Sequence, residues 1–153
     1  MNNPTSRRDF VRTSIAGAAG LAGANIAAAH KRNDSTFNGV TVGVQSYSFR
    51  DRPLDEAIAA MQKVGFGLCE MWSGHIEPLR ETRGAADGRA KLREFRLTAP
   101  LAKFEKIGQA FHEAGINLFA YNYSFKEDFT DEEIERGFEM AKALGAKAIT
   151  ASG

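Results

Sequence analysis

A glycine that closes an amphipathic run about three residues ahead of an apolar stretch recurs at Gly65, Gly115 and Gly145, and no other feature restricts the fold of this chain as strongly. The contexts are Lys63-Val64-Gly65-Phe66-Gly67-Leu68-Cys69-Glu70-Met71, Glu113-Ala114-Gly115-Ile116-Asn117-Leu118 and Ala143-Leu144-Gly145-Ala146-Lys147-Ala148-Ile149. The residue after a helix commonly adopts a left-handed backbone, which penalises any side chain with a Cβ. Each glycine therefore marks a helix-to-strand joint.

The helices between the joints are legible from their apolar spacing. Pro53 suits a first helical turn, where its missing N–H costs nothing, and Leu54, Ala57, Ile58, Met61 and Val64 then share one face. A second helix from about Thr98 and Pro100 carries Leu101, Phe104, Ile107, Phe111 and Ala114 on its inner stripe. Thr130 and Glu133 form a capping box that opens a third helix with Ile134, Phe138, Ala141 and Leu144 inward. Strands are predicted over residues 40–45, 68–71, 118–121 and 148–151. Short strands separated by helices run parallel with helical crossovers. Gly115 and Gly145 are 30 residues apart, whereas Gly65 and Gly115 are 50 apart, so residues 73–97 hold an insertion after the second strand. In it, Lys91, Arg93 and Arg96 with Leu92, Phe95 and Leu97 read either as a short helix over the strand ends or as a solvated basic face.

Two parallel architectures compete. An open doubly wound sheet usually carries a glycine-rich phosphate turn after its first strand, and here that turn is Ser46-Tyr47-Ser48-Phe49-Arg50, with no such motif. The expectation is therefore an α/β chain forming part of a (βα)8 TIM barrel. A complete barrel has eight strands in about 250 residues. The chain ends at Thr150-Ala151-Ser152-Gly153, directly after the fourth predicted strand, so residues 38–153 read as the truncated N-terminal half.

Residues 1–29 read as a leader. Arg7 and Arg8 precede Phe10, a charge-free Ala/Gly-rich stretch covers residues 13–29, and Ala27-Ala28-Ala29 offers a cleavage site. The paired arginines resemble the twin-arginine export signal, which implies a periplasmic or extracellular destination; the stretch is too weakly apolar to span a membrane. Residues 30–37 follow as a linker. Loss of Arg7, Arg8, Arg12 and Asp9 leaves 17 basic and 18 acidic residues of the original 20 and 19. That balance provides no electrostatic footprint for nucleic acid. Cys69, the one cysteine, sits in an apolar run and reads as a buried inert thiol.

Val42-Gly43-Val44-Gln45-Ser46-Tyr47-Ser48-Phe49, the spacing Gly65-Phe66-x-x-x-Glu70-Met71-Trp72, Gly115-Ile116 and Ala143-Leu144-Gly145-Ala146-Lys147 together resemble the N-terminal half of the xylose-isomerase-like barrel superfamily. That superfamily includes sugar phosphate isomerases and epimerases, inosose dehydratase and the family-2 apurinic endonucleases. The resemblance implies a small carbohydrate substrate and proton transfer at the carbon α to a carbonyl, assisted by a divalent metal (Mn, Mg, Co or Zn). It also implies metal ligands, two Glu, an Asp and a His, on later strands that would follow Gly153, so no catalytic or metal-binding residue is assigned in this chain. Tyr121-Asn122-Tyr123 at the third strand end lacks the histidine that the nucleases use, which disfavours that branch. A keto-sugar lyase or dehydratase, and a non-catalytic carbohydrate-binding half-barrel, are the alternative readings.

The candidate substrate-binding residues are those at or beyond strand ends, the functional rim of parallel α/β folds. Glu70, a carboxylate inside an apolar strand, needs a partner or a place in the site. Trp72 offers a plane for the C–H face of a sugar, or is buried beneath the insertion. His75 can donate to a hydroxyl or act as an acid, or is a solvent-exposed loop histidine. Asn122 and Tyr123 end the third strand, Tyr47 with Phe49 walls off one side, and His112 is a solvated helix residue.

Overall fold

The computed structural model describes residues 32–151. A two-stranded antiparallel hairpin, β1 (Thr36–Phe37) and β2 (Val40–Thr41), precedes a four-stranded parallel sheet of β3 (Val44–Gln45), β4 (Leu68–Trp72), β5 (Asn117–Asn122) and β6 (Ala148–Thr150). The helices are α1 (Leu54–Val64), α2 (Leu79–Thr82), α3 (Gly88–Thr98), α4 (Leu101–Glu113) and α5 (Asp131–Ala143), with 3₁₀ turns at Ser46–Phe49 and Ser73–His75. The strand order β3-β4-β5-β6 follows the chain. With crossovers of one hand, a sequential order puts every crossover helix on the same face. This is one side of an α/β barrel; a doubly wound sheet reverses its strand order midway.

The three glycine joints share one geometry. Gly65, Gly115 and Gly145 have φ of 96°, 74° and 73°. The next residue in each case donates its N–H to the carbonyl five positions back: Phe66 to Met61, Ile116 to Phe111 and Ala146 to Ala141. This closure satisfies the last helical carbonyls and turns the chain into the sheet. At the other end of α5 both bonds of the Thr130–Glu133 capping box are present.

The core lies between the sheet and α1, α4 and α5, where Met61, Cys69, Met71, Phe104, Phe111, Tyr121 and Met140 are buried. One residue of each of two predicted stripes faces outward instead. Val64 is 66% exposed and Phe138 58% exposed, whereas Glu133, Gly137 and Met140 face inward on α5. On α5 the cause is local: a Cβ on Gly137 would lie 2.5 Å from the Tyr123 ring, and Glu133 is drawn in by arginines of the insertion.

The first predicted strand is also divided. Residues 40–41 pair with β1, and only Val44 and Gln45 join the parallel sheet. Within the segment expected as a linker, Asn33 and Ser35 bond to the helix-to-strand joints. The Asn33 amide donates to the Gly115 carbonyl, Asn33 Nδ2 to the Phe66 carbonyl, and the Gly67 amide to Ser35 Oγ. A Cβ on Gly67 would lie 2.0 Å from the Asn33 carbonyl oxygen. Gly67→Ala should therefore displace this segment and cost about 2 kcal/mol, measured by urea unfolding, with faster proteolysis near residue 35. The leader expected at residues 1–29 lies outside the described residues. No helix among the described residues is long and apolar enough to cross a membrane.

Candidate functional site

Register brings the polar strand-end residues together. Gln45 pairs with Glu70, Trp72 with Asn122 and Asn122 with Thr150 across the four strands. The register shifts once between β4 and β5, where Cys69 pairs with Leu118 but Glu70 with Ala120. Phe119 is the extra residue; it is 45% exposed, and the bulge restores the match of sides so that Asn122 follows Glu70 and Trp72.

On the face away from the crossover helices a hydrogen-bonded row results. Gln45 Nε2 donates to Glu70 Oε1 at 3.0 Å, and Thr150 Oγ1 donates to the same oxygen. Asn122 Nδ2 donates to Thr150 Oγ1 at 3.2 Å, and Ser124 Oγ donates to Asn122 Oδ1 at 2.8 Å. Glu70 thus has partners on β3 and, across β5, on β6, which answers the cost of a carboxylate in an apolar strand. Of these five residues, sequence reasoning nominated Glu70 and Asn122. Gln45, Thr150 and Ser124 were missed; period-two alternation counted from Glu70 and Thr150 carries part of their signal.

An aromatic wall stands at the end of the row. Ser46 Oγ accepts the Trp72 N–H at 2.8 Å, tying the ends of β3 and β4 together. The rings of Tyr47 and Trp72 meet edge to face at 4.9 Å, and those of Trp72 and His75 at 5.6 Å. A Cβ on Gly74 would fall 2.2 Å from the indole, so glycine lets Trp72 fold back over the loop. His75 does not project freely, because Nε2 donates to the Ser46 carbonyl at 3.0 Å and the ring braces the first strand end. Tyr123 is buried, with its hydroxyl donating to the Glu133 carbonyl at 3.1 Å, and it lines the cleft at the strand ends.

The insertion lies over the strand ends as a helix. Arg96 of α3 is buried and donates to Glu77 at 2.7 Å, and Glu77 also accepts from Ser73 Oγ at 3.2 Å. Arg93 and Arg89 donate to Glu133, at 2.9 Å and 3.1 Å, and Arg89 also pairs with Asp128. The Phe129 ring lies under two of these cations, 4.4 Å from the Arg96 guanidinium and 4.9 Å from that of Arg89. Burial alone would push the Glu133 carboxyl up, but Arg93, the Thr130 amide and Arg89 outweigh it and hold the pKa at about 2. Of the two sequence readings of this segment the packed helix is the observed one, with Lys91 left on the outer side, paired to exposed Asp87.

Beneath α2 and α3 a cleft of about 580 Å³ opens at the carboxyl ends of the strands, lined by Gln45, Tyr47, Trp72, Arg83, Ser124 and Lys126 among others. Its size and mixed lining suit a small polar ligand. A smaller cleft of about 200 Å³ lies at the opposite ends of the strands, beside Gly115 and Gly145, the end that serves stability in barrel folds. Among the described residues no three His, Cys, Asp or Glu side chains gather as a metal site. The divalent metal of the resemblance, whose ligands are expected on strands after Gly153, is assigned no residue here. Burial, followed by the charge of Glu70, pushes the Cys69 thiol up to about 12. Cys69 should stay unlabelled by a thiol reagent in the native protein and react on unfolding; fast labelling without denaturant would contradict its burial.

No family model matches the chain, and no curated protein matches it. A crystal structure of an uncharacterised protein from Parabacteroides distasonis is similar, at 20% sequence identity and a TM-score of 0.52. The match covers 72% of this chain and 42% of that protein, so this chain spans less than half of its solved neighbour. At that identity the likeness concerns the fold alone.

Proposed function

We propose that the chain supplies the substrate-binding half of a barrel enzyme that isomerises or epimerises a sugar or sugar phosphate, as in the xylose-isomerase-like superfamily. The cleft at the carboxyl ends of the four strands carries this reading. It combines an aromatic wall, Tyr47 and Trp72, with the hydrogen-bonding groups of Gln45 and Ser124 and the exposed cations Arg83 and Lys126. Sugars present apolar C–H faces to aromatic rings and hydroxyls to polar groups, and both surfaces meet here. Arg83 and Lys126 make no ion pair among the described residues, which leaves them available to an anionic substituent. The reacting carboxylates and the metal are assigned to no described residue, and no chemical step is placed on this chain; its part is to bind and orient.

Trp72 is the only tryptophan in the sequence, so the emission of the protein reports on this wall. Titration with a panel of aldoses, ketoses and their phosphates should shift or quench that emission saturably, while amino acids and nucleosides should not. Unchanged emission across all the sugars, confirmed by calorimetry, would remove the carbohydrate reading.

A further inference from the structure

A second cleft, of about 810 Å³, lies on the other side of the aromatic wall. Arg50, Arg52, Arg80, Arg83 and Lys103 line it, against two carboxylates, Glu77 and Glu81. Glu77 is already taken up by Arg96. In a chain of net charge +1 such a concentration of cations is local. Arg52 is partly neutralised by Asp51 at 2.8 Å, but Arg50, Arg80, Arg83 and Lys103 form no ion pair among the described residues. Two of them rest on aromatic faces instead: the Arg50 guanidinium is 4.4 Å from the centre of the Tyr47 ring and Lys103 Nζ is 5.1 Å from that of Phe95. An aromatic face positions a cation without cancelling its charge, so the cleft holds oriented donors that lack an oxyanion.

The two clefts adjoin. Tyr47, Trp72, Glu77, Leu79 and Arg83 line both of them, so the aromatic wall stands between the two. Each cleft alone falls in the volume range of an ordinary ligand site. A sugar bound in the strand-end cleft leaves Arg50, Arg80 and Lys103 of the other without an anionic partner.

We propose that the basic cleft is a second saccharide subsite, holding an acidic unit joined to the sugar bound at the strand ends, so that the ligand is an acidic oligosaccharide rather than a monosaccharide. This rests on the carbohydrate reading of the strand-end cleft. The oxyanion is a uronate carboxylate or an ester phosphate, since the planar arginine fork suits both.

The test compares ligands on the full chain by calorimetry and Trp72 emission: a uronic-acid disaccharide, a disaccharide with a phosphate ester in the same place, the neutral disaccharide, the free uronic acid and inorganic phosphate. One or both acidic disaccharides should bind about tenfold more tightly than the neutral one, the size of one charge-assisted contact, and whichever does so identifies the oxyanion. The advantage should shrink at high salt and vanish in the double variant Arg80→Gln, Lys103→Gln, which leaves neutral-sugar affinity unchanged. Both side chains are exposed, so the variant keeps the fold, as circular dichroism will verify. Equal affinity for acidic and neutral disaccharides would overturn the proposal, as would equal binding of free uronic acid or inorganic phosphate. Competition by a short single-stranded oligonucleotide at the same concentration would also overturn it, in favour of a general polyanion surface. If neutral sugars bind and acidic units add nothing, only this inference fails; if no sugar of any kind binds, the strand-end reading fails with it.

Discussion

Glu133→Gln should lower the unfolding free energy by about 3 kcal/mol, near the lower end of what removing one partner from a buried ion pair costs. Glu133 is fully buried and accepts from Arg89, Arg93 and, more distantly at 3.4 Å, Arg96. Removing its charge leaves Arg96 the most exposed to loss, since Arg89 and Arg93 can turn toward water while Arg96 is buried. The variant also weakens the capping box, because the Glu133 side chain accepts from the Thr130 amide. Asp128→Asn, at an exposed pair, should cost less than about 1 kcal/mol and is the natural control. The pH dependence has a definite sign. The carboxyl is depressed from an ordinary 4.5 to about 2 on folding, so its stabilisation is complete above pH 4.5 and is lost as pH falls toward 2. Urea unfolding at a series of pH values should show the gap between wild type and Glu133→Gln closing within that window. A gap that stays constant from pH 5 to 2 would mean that the carboxylate charge does not hold the insertion down.

Trp72→Ala should reduce saccharide affinity roughly fiftyfold with a smaller loss of stability. About 100 Å² of apolar contact at ~25 cal/mol/Å² contributes ~2.5 kcal/mol, which converts to between one and two orders of magnitude in dissociation constant. Calorimetry is the readout, since the variant carries no tryptophan. Trp72→Phe keeps a stacking face and should recover most of the loss. Gly74→Ala belongs to the same test: the added methyl meets the indole at 2.2 Å, so the wall has to move, and affinity should fall although no ligand contact has been deleted. An unaltered affinity in Trp72→Ala would place any bound sugar elsewhere.

Local signals in the chain carried the scaffold far better than the site. Gly65, Gly115 and Gly145 were readable because each left-handed helix end selects for glycine by itself, whatever surrounds it. The same is true of the Thr130–Glu133 box, whose two bonds form within one turn. Phe138 was misplaced because an apolar residue at helical spacing looks inward unless something else claims the interior; here Gly137 admits the Tyr123 ring and Glu133 follows the arginines 37 to 44 positions earlier. That attraction is invisible to periodicity. The division of the first strand depends likewise on the hairpin of residues 36–41.

At the site, Trp72, Tyr47 and Glu70 were legible as residue types unusual for their predicted strand or strand end. The roles of the others come from pairing. Thr150 and Gln45 gain meaning only because the parallel register sets them on either side of Glu70, 80 and 25 residues away in the chain. His75 read as a donor or acid at the rim or as a solvent-exposed loop residue, and its bond to the Ser46 carbonyl depends on how two strand ends meet. The basic cleft combines Arg50 and Arg52 from beyond β3, Arg80 and Arg83 from the insertion and Lys103 from α4, a grouping that no window of sequence contains.

The proposed function requires a saccharide to enter at the carboxyl ends of the strands. Amide and indole chemical shifts of isotopically labelled protein, followed during titration with a sugar that quenches Trp72, test that placement most directly. Perturbations should centre on Gln45, Tyr47, the Trp72 indole, Ser73 and Ser124, with the joints at Gly115 and Gly145 unmoved. Shifts clustered at those joints, at the opposite ends of the strands, would contradict it.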